Sequence, residues 1–276
     1  MENLLSYWMF DWGAIILTVF LTFAYFKLSG GKLLKGAGSY FSGLVLMLLV
    51  TTSPLHFLGM YYLLSAYMLM HIILLLLCGP LLVIGLPKNL PTENKLITTI
   101  STAMNNRPWL GWIAGIGIMW FWHIPIVFDA VFPMGHATFS FNILPILHIV
   151  TLLFAGVLLA WPIMGPIKSL RLHPLLGIIY LFTACIGCSI LGLYLTFAPP
   201  TLYAHYSTPD EYGFSGMILN NWNISRSTDQ QAAGLIMWVP CCFIYISGCC
   251  YLFLHWIKDK EIPKIKTPIW KGSYYE

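Results

Sequence analysis

Three histidines stand inside long apolar runs of this 276-residue chain: His71, His123 and His148. An ionisable group at membrane depth is costly, so each is a functional candidate by default. Soft sulfur donors accompany them. Met119 precedes His123 by four residues and shares its helix face. Met60, Tyr67 and His71 form a stripe at i, i+7 and i+11, with Met68 beside it, and Met237 and Cys241 form a further i, i+4 pair. Imidazole with thioether or thiolate suits Cu(I), whereas Mg²⁺ and Ca²⁺ cages need carboxylates that these apolar runs lack. Packing is the competing explanation, because Met and Cys at helical spacing commonly fill gaps in a core. The three histidines taken together carry more weight, since each buried imidazole needs a partner.

His123 lies in the stretch 120–129, with Pro125 two residues on and Asp129 six residues on. Asp129 falls on a different helix face from His123 unless Pro125 kinks the helix between them. A kink there would open the outer third of that segment.

The composition decides the setting for these residues. The chain is 58% hydrophobic and 9% charged, with a mean hydropathy of +0.77. A soluble domain carries roughly a quarter charged residues, so this is a polytopic membrane protein. The net charge of +4 is too modest for a nucleic-acid reader. Nothing in the first residues resembles the basic region of a signal peptide.

A membrane span needs about 20 apolar residues, and seven segments qualify: 8–26, 40–58, 60–84, 110–132, 143–164, 175–199 and 232–257. The expected fold is all-α, a bundle of seven transmembrane helices forming a single membrane domain over 1–276. Thirteen of the fourteen Lys and Arg residues follow spans 1, 3, 5 and 7, and only Arg226 lies on the other side. The positive-inside rule then puts the N-terminus outside and the C-terminus in the cytoplasm. On a rise of ~1.5 Å per residue, His71, His123 and His148 lie roughly 16, 14 and 8 Å from the outer ends of their spans. Residues 92–104 place Leu96, Ile97, Ile100, Ala103 and Met104 at helical spacing and read as an amphipathic helix on the cytoplasmic interface. The outer loop 200–230 is long enough to cap the bundle or dock a partner.

All seven cysteines lie in apolar runs, which argues against a secreted disulfide framework. Cys185 and Cys188 sit in mid-helix, where such a pair does not readily close a disulfide, and they read as small packing residues. Nucleophile elbow, P-loop, HExxH and paired intramembrane carboxylates are all missing, so no enzyme activity is expected.

Several stretches together resemble the CtaG-type cytochrome c oxidase assembly factors, a family of seven-span bacterial membrane proteins. They are Ser53-Pro54, Leu64-Ser65-Ala66-Tyr67-Met68, Gly85-Leu86-Pro87, Trp122-His123-x-Pro125, Trp161-Pro162-x-x-Gly165-Pro166, Thr196-Phe197-Ala198-Pro199, and Asp229-Gln230-Gln231 through Met237-Trp238-Val239-Pro240. The resemblance covers roughly residues 50–240, and its last run is the most specific part. It implies a role in maturing a haem–copper oxidase, by helping copper reach the binuclear centre, in the plasma membrane of a bacterium. It carries over His123, His148, Met68, Met237, Asp229 and Gln230. Two positions depart from the family pattern: Tyr67 and Leu144 stand where histidines are usual, with His71 one turn further along.

Two functional readings follow. In one, the chain is a metallochaperone that binds Cu(I) through His71, His123 and His148 with Met68, Met119 or Met237, and passes it to an oxidase subunit. In the other, it is a metal-free structural or accessory subunit of an oxidase or another respiratory membrane complex.

Overall fold

The computed structural model describes residues 6–87, 95–132, 143–207, 210 and 212–261, without the side chains of 259–261. His136, Lys88, Lys264, Lys266, Lys271 and residues 92–94 of the expected interfacial helix lie outside the described residues. Every long element described is helical, and no strand occurs among the described residues.

Local chemistry sets the helix ends. α1 (Trp12–Ser29) opens where the Asp11 carboxylate accepts the Ala14 N–H at 2.9 Å, filling an orphan donor of the first turn. It closes on Gly30 at φ 64°, a left-handed position that favours a residue without Cβ. α2 (Ala37–Thr52) stops at Ser53, the residue before a proline. Pro54 then opens α3 (Pro54–Tyr61), bent 49° from α2. Tyr62 and Leu63 break the chain again before α4 (Leu64–Gly85), which contains a π-helical turn at Ile73–Cys78.

α5 (Lys95–Asn106) buries Ile97, Ser101 and Met104 and turns Leu96 outward. The apolar face therefore differs from the expected one, since the buried Ser101 hydroxyl accepts the Trp161 indole N–H at 3.1 Å. α6 (Pro108–Trp122) and α7 (Pro125–Val131) meet at 76° across His123 and Ile124. Pro125, where a kink had been only a possibility, sits at the first position of α7, where its missing N–H costs nothing. α8 (Leu144–Met164), α9 (Pro174–Phe197), α10 (Ser215–Asn220) and α11 (Arg226–Glu261) follow in the described residues. α9 packs most extensively on α11, and α4 lies between α2, α8 and α11.

Among the described residues, five helices are long and apolar enough to cross a membrane, or up to seven segments if each bent pair is one span. Ile16, Val19, Phe20 and Phe23 on α1, and Phe182, Ile186 and Ile190 on α9, point outward. Helices satisfy their own backbone hydrogen bonds, so such apolar outer faces suit lipid. The protein is a multi-pass membrane protein.

One boundary differs from the sequence-based expectation in a way that matters. Met60 belongs to α3, not to the span that carries His71. Hydropathy does not register the break at Tyr62 and Leu63, because both residues are as apolar as their neighbours. Counted from Leu64, His71 lies seven residues into α4, roughly 10 Å. That brings it towards the depth of His148, the fifth residue of α8.

α4 and α8 touch through glycine. A Cβ on Gly79 would lie 2.5 Å from the Gly156 carbonyl carbon, and one on Gly156 would collide with Leu75. Gly79 is eight residues beyond His71, and Gly156 is eight residues beyond His148. The two helices run parallel from histidine to glycine, so the close approach at the glycines accompanies the contact of His71 with His148. Gly79→Ala is expected to force α4 and α8 apart, at the cost of about 1–3 kcal/mol typical of an overpacked core. Thermal melting of the purified protein in detergent should show a clear fall for this variant and none for Gly38→Ala, whose added Cβ meets nothing within 4 Å. Equal melting of the two would contradict the close approach.

Candidate metal centre

His71, His123 and His148 converge. The ring centroids of His71 lie 5.1 Å from His123 and 4.5 Å from His148, and all three side chains are buried. They arrive from three helices: α4, the broken C-terminus of α6, and α8.

Two of the rings are fixed by their own helices. His71 Nδ1 lies 2.9 Å from the Tyr67 carbonyl, and His123 Nδ1 lies 2.6 Å from the Met119 carbonyl. A carbonyl only accepts, so both Nδ1 atoms carry the proton in the neutral rings and both Nε2 atoms present a lone pair. Imidazole metal ligands are commonly oriented by a backbone carbonyl on the far nitrogen in this way. His148 Nε2 lies 2.8 Å from His71 Nε2 and must donate to it. Its Nδ1 then accepts from the Tyr67 hydroxyl at 3.4 Å. The chain thus runs from the Tyr67 hydroxyl through His148 and His71 back to the Tyr67 carbonyl.

His123 is treated differently. Its Nε2 lone pair faces the Met68 sulfur at 3.0 Å. Neither atom of that pair has a proton to offer, so two lone pairs confront each other in a buried site. A soft cation beside them would turn this contact into shared ligation.

The surroundings hold the cluster in place. α4 starts at Leu64 with no capping side chain of its own. Asp229 on α11 supplies one: its carboxylate accepts the Leu64 N–H at 2.8 Å, the Ser65 N–H at 3.0 Å and the Ser65 hydroxyl at 2.5 Å. Arg226 donates to Asp229 at 3.1 Å and to the Tyr62 carbonyl at 3.2 Å. The Gly59 and Met60 carbonyls, orphaned where α3 ends, accept from the Tyr206 hydroxyl at 2.6 Å and from His205 Nε2 at 2.7 Å. Later parts of the chain therefore pin the turn from which Tyr67, Met68 and His71 are measured.

The break after His123 is stabilised by comparable means. Bending the helix frees the His123 carbonyl, which accepts the Tyr203 hydroxyl at 3.0 Å. Trp122 Nε1 donates to Thr151 Oγ1 on α8 at 2.9 Å, and the Trp122 ring meets His148 edge-on. Phe128 on α7 and Phe132 at its C-cap lie against Tyr67. Asp129 takes no part in the cluster: its carboxylate accepts the Ala204 and His205 N–H groups, both at 3.2 Å. Residues 203–206 of the loop after α9 thus cover this end of the bundle.

Of the residues singled out from the sequence, the structure brings His71, His123, His148 and Met68 together. Met119 holds His123 through its carbonyl, while its sulfur faces Cys188 at 3.7 Å. Met237 is buried on α11, one turn before Cys241. The hydrogen bonds and ring contacts described for the cluster do not pass through it. Tyr67, set down as a missing histidine, is a working member through its hydroxyl. Tyr203 carried no recognisable signal beforehand, because it acts on the His123 carbonyl, far away in sequence; Trp122 stood in the Trp-His-x-Pro motif, but its bond to Thr151 had no local sign.

Among the described residues, no three His, Cys, Asp or Glu side chains meet as a ready-made metal site. The His71 and His148 nitrogens nonetheless lie close to the spacing of two ligands on one ion. Two imidazoles on a tetrahedral ion with bonds near 2.0 Å have nitrogens about 3.3 Å apart, so the His71 and His148 rings need to open by about 0.5 Å. His148 would then shift its proton to Nδ1, where Tyr67 can accept it.

Asp229→Ala leaves two N–H groups of α4 and the Arg226 guanidinium without their acceptor, which is expected to cost about 2–4 kcal/mol. Ser65→Ala, which removes one bond to a carboxylate that keeps its others, should cost about 1 kcal/mol. Denaturation of the two variants in detergent checks this order. A smaller loss for Asp229→Ala than for Ser65→Ala would refute the capping role.

A family model described as cytochrome c oxidase caa3 assembly factor matches residues 32–259. No curated protein and no solved structure gives a match.

Proposed function

The chain belongs to the cytochrome c oxidase caa3 assembly factors, and on that premise we propose that it carries Cu(I) for insertion into a haem–copper oxidase. The observation that carries this reading is the His123 Nε2–Met68 Sδ contact at 3.0 Å beside the paired Nε2 atoms of His71 and His148. It gathers four soft or borderline donors, and two of the imidazoles are already held in the tautomer that ligates.

The charge balance suits transfer rather than storage. Three neutral imidazoles and a thioether leave the bound ion's single positive charge uncompensated. A net charge inside a membrane bundle is costly, so the site holds Cu(I) weakly enough to release it. Asp229 does not neutralise it, because its carboxylate is already engaged by Arg226 and by the start of α4.

The distribution of Lys and Arg orients the chain with the cluster in the outer half of a bacterial plasma membrane. The segment between α9 and α11 then lies outside, where an oxidase subunit receives the metal. The partner in this reading is the oxidase itself.

Cu(I) added anaerobically to the reduced, purified protein should yield one equivalent with imidazole ligation, read by X-ray absorption at the copper edge. His123→Ala combined with His148→Ala should abolish that equivalent and leave the protein folded. Survival of the imidazole-bound copper in the double variant would overturn the ligand assignment. A wild-type protein that binds no copper while co-purifying stoichiometrically with the oxidase would instead make it a metal-free subunit.

A further inference from the structure

We propose a second Cu(I) site, built from sulfur, in which Cys188, Cys241 and Met119 bind the metal next to the imidazole cluster. The inference rests on the copper-carrying reading above. It departs from the expectation that the cysteines only fill space.

Three helices contribute the donors. Cys188 on α9 sits 3.7 Å from the Met119 sulfur on α6, and its thiol pairs with the Cys241 thiol on α11. The Tyr245 hydroxyl, one turn beyond Cys241, lies 3.5 Å from the Cys188 sulfur. Cys188 is fully buried, and Met119, Cys241 and Tyr245 are between 1% and 3% exposed. Packing alone would be served equally by alanine at the two cysteine positions. It does not account for the Cys188 thiol meeting the Met119 sulfur of one helix and the Cys241 thiol of another. With metal–sulfur bonds of about 2.3 Å, as in zinc thiolates, two sulfurs of a trigonal site stand about 4.0 Å apart. The Cys188–Met119 pair is within about 0.3 Å of that spacing. Thiolate and thioether are the donors that select Cu(I).

Charge distinguishes this site from the first. Binding breaks the Cys188 and Cys241 S–H bonds, forms two Cu(I)–thiolate bonds and releases two protons to solvent. The two thiolates compensate the monovalent ion and leave one net negative charge, in place of the uncompensated positive charge of the imidazole site. The Tyr245 hydroxyl is placed to donate to the Cys188 thiolate. The sulfur site is therefore the tighter of the two, and the imidazole site the more labile. Met119 joins them: its carbonyl fixes the His123 ring, and its sulfur faces Cys188. A metal resting at sulfur lies one residue from the exchange site. Cys185 and Cys242 form a further thiol pair at 3.5 Å between the same two helices, with Ser189 against Cys242.

The test is an anaerobic Cu(I) titration of the full chain in detergent against a chromophoric Cu(I) chelator, with X-ray absorption at the copper edge. Wild type is expected to bind two equivalents, one sulfur-ligated and one imidazole-ligated, with a thiolate-to-Cu(I) charge-transfer band. Cys188→Ser with Cys241→Ser should lose the band and one equivalent and keep the imidazole-ligated one. His123→Ala with His148→Ala should keep the sulfur-ligated equivalent. Should the serine variant fail to fold, Met119→Leu, of similar volume, should still weaken the sulfur-ligated equivalent at least tenfold. A serine variant that retains both equivalents, or a Met119→Leu variant with unchanged affinity, overturns the second site. Copper lost only through the histidine substitutions overturns it too and leaves the proposed function standing. Sulfur-ligated copper without any imidazole-ligated copper does the reverse.

Discussion

The buried cluster depends on one close approach, the contact of the Gly79 and Gly156 backbones between α4 and α8. The two helices run parallel there, and His71 and His148, eight positions back, are in contact. Larger side chains at either glycine would hold the axes apart and leave each imidazole without its partner. Asp229 complements that contact from the other end. It fixes the first turn of α4 by accepting two backbone N–H groups and one hydroxyl, so the helix cannot slide along α8. The run from Asp229 to Met237 therefore contributes through position, whatever any one of its side chains does to a metal.

Desolvation then explains why the cluster has the composition it has. Each neutral imidazole must place one N–H and one lone pair in a space without water. Carbonyls one turn back take the protons of His71 and His123, and the Tyr67 hydroxyl serves His148. The lone pair of His71 accepts the His148 N–H, and the one left on His123 faces a thioether. Donors without matching protons are the usual preparation for a cation. A site made only of neutral donors leaves that cation's charge exposed to a low-dielectric interior, which favours brief occupancy. Sulfur from a cysteine, which can give up its proton, reverses that preference a few residues away.

Much of this was legible in the sequence, and the parts that were not share a cause. Hydropathy located the apolar segments because lipid imposes one requirement on all of them. It missed the break at Tyr62 and Leu63, since both are apolar, and so assigned Met60 to the wrong helix and put His71 too deep. The proline in Trp122-His123-x-Pro125 marked where a kink could fall, and the chain bends there by 76° before α7. The histidines were found individually by their cost in a membrane. Their contacts, however, depend on helix order and register, which the pattern of one chain does not encode. Asp129 looked like a possible partner of His123 by proximity in sequence, yet it caps residues 204 and 205. Met119 was placed by its spacing on the right face of α6, while its rotamer sends the sulfur to Cys188 and only the carbonyl to His123. The cysteines read as filler because a pairing between α9 and α11 has no local signature.

The copper-to-haem ratio of the oxidase tests the central claim most directly. It is measured on enzyme isolated from cells whose only copy of this chain carries His71→Ala and His123→Ala, with the level of the variant in the membrane verified. The account predicts an oxidase with its haem present and its copper depleted relative to cells carrying the unaltered chain. An oxidase with a full complement of copper in those cells would contradict it.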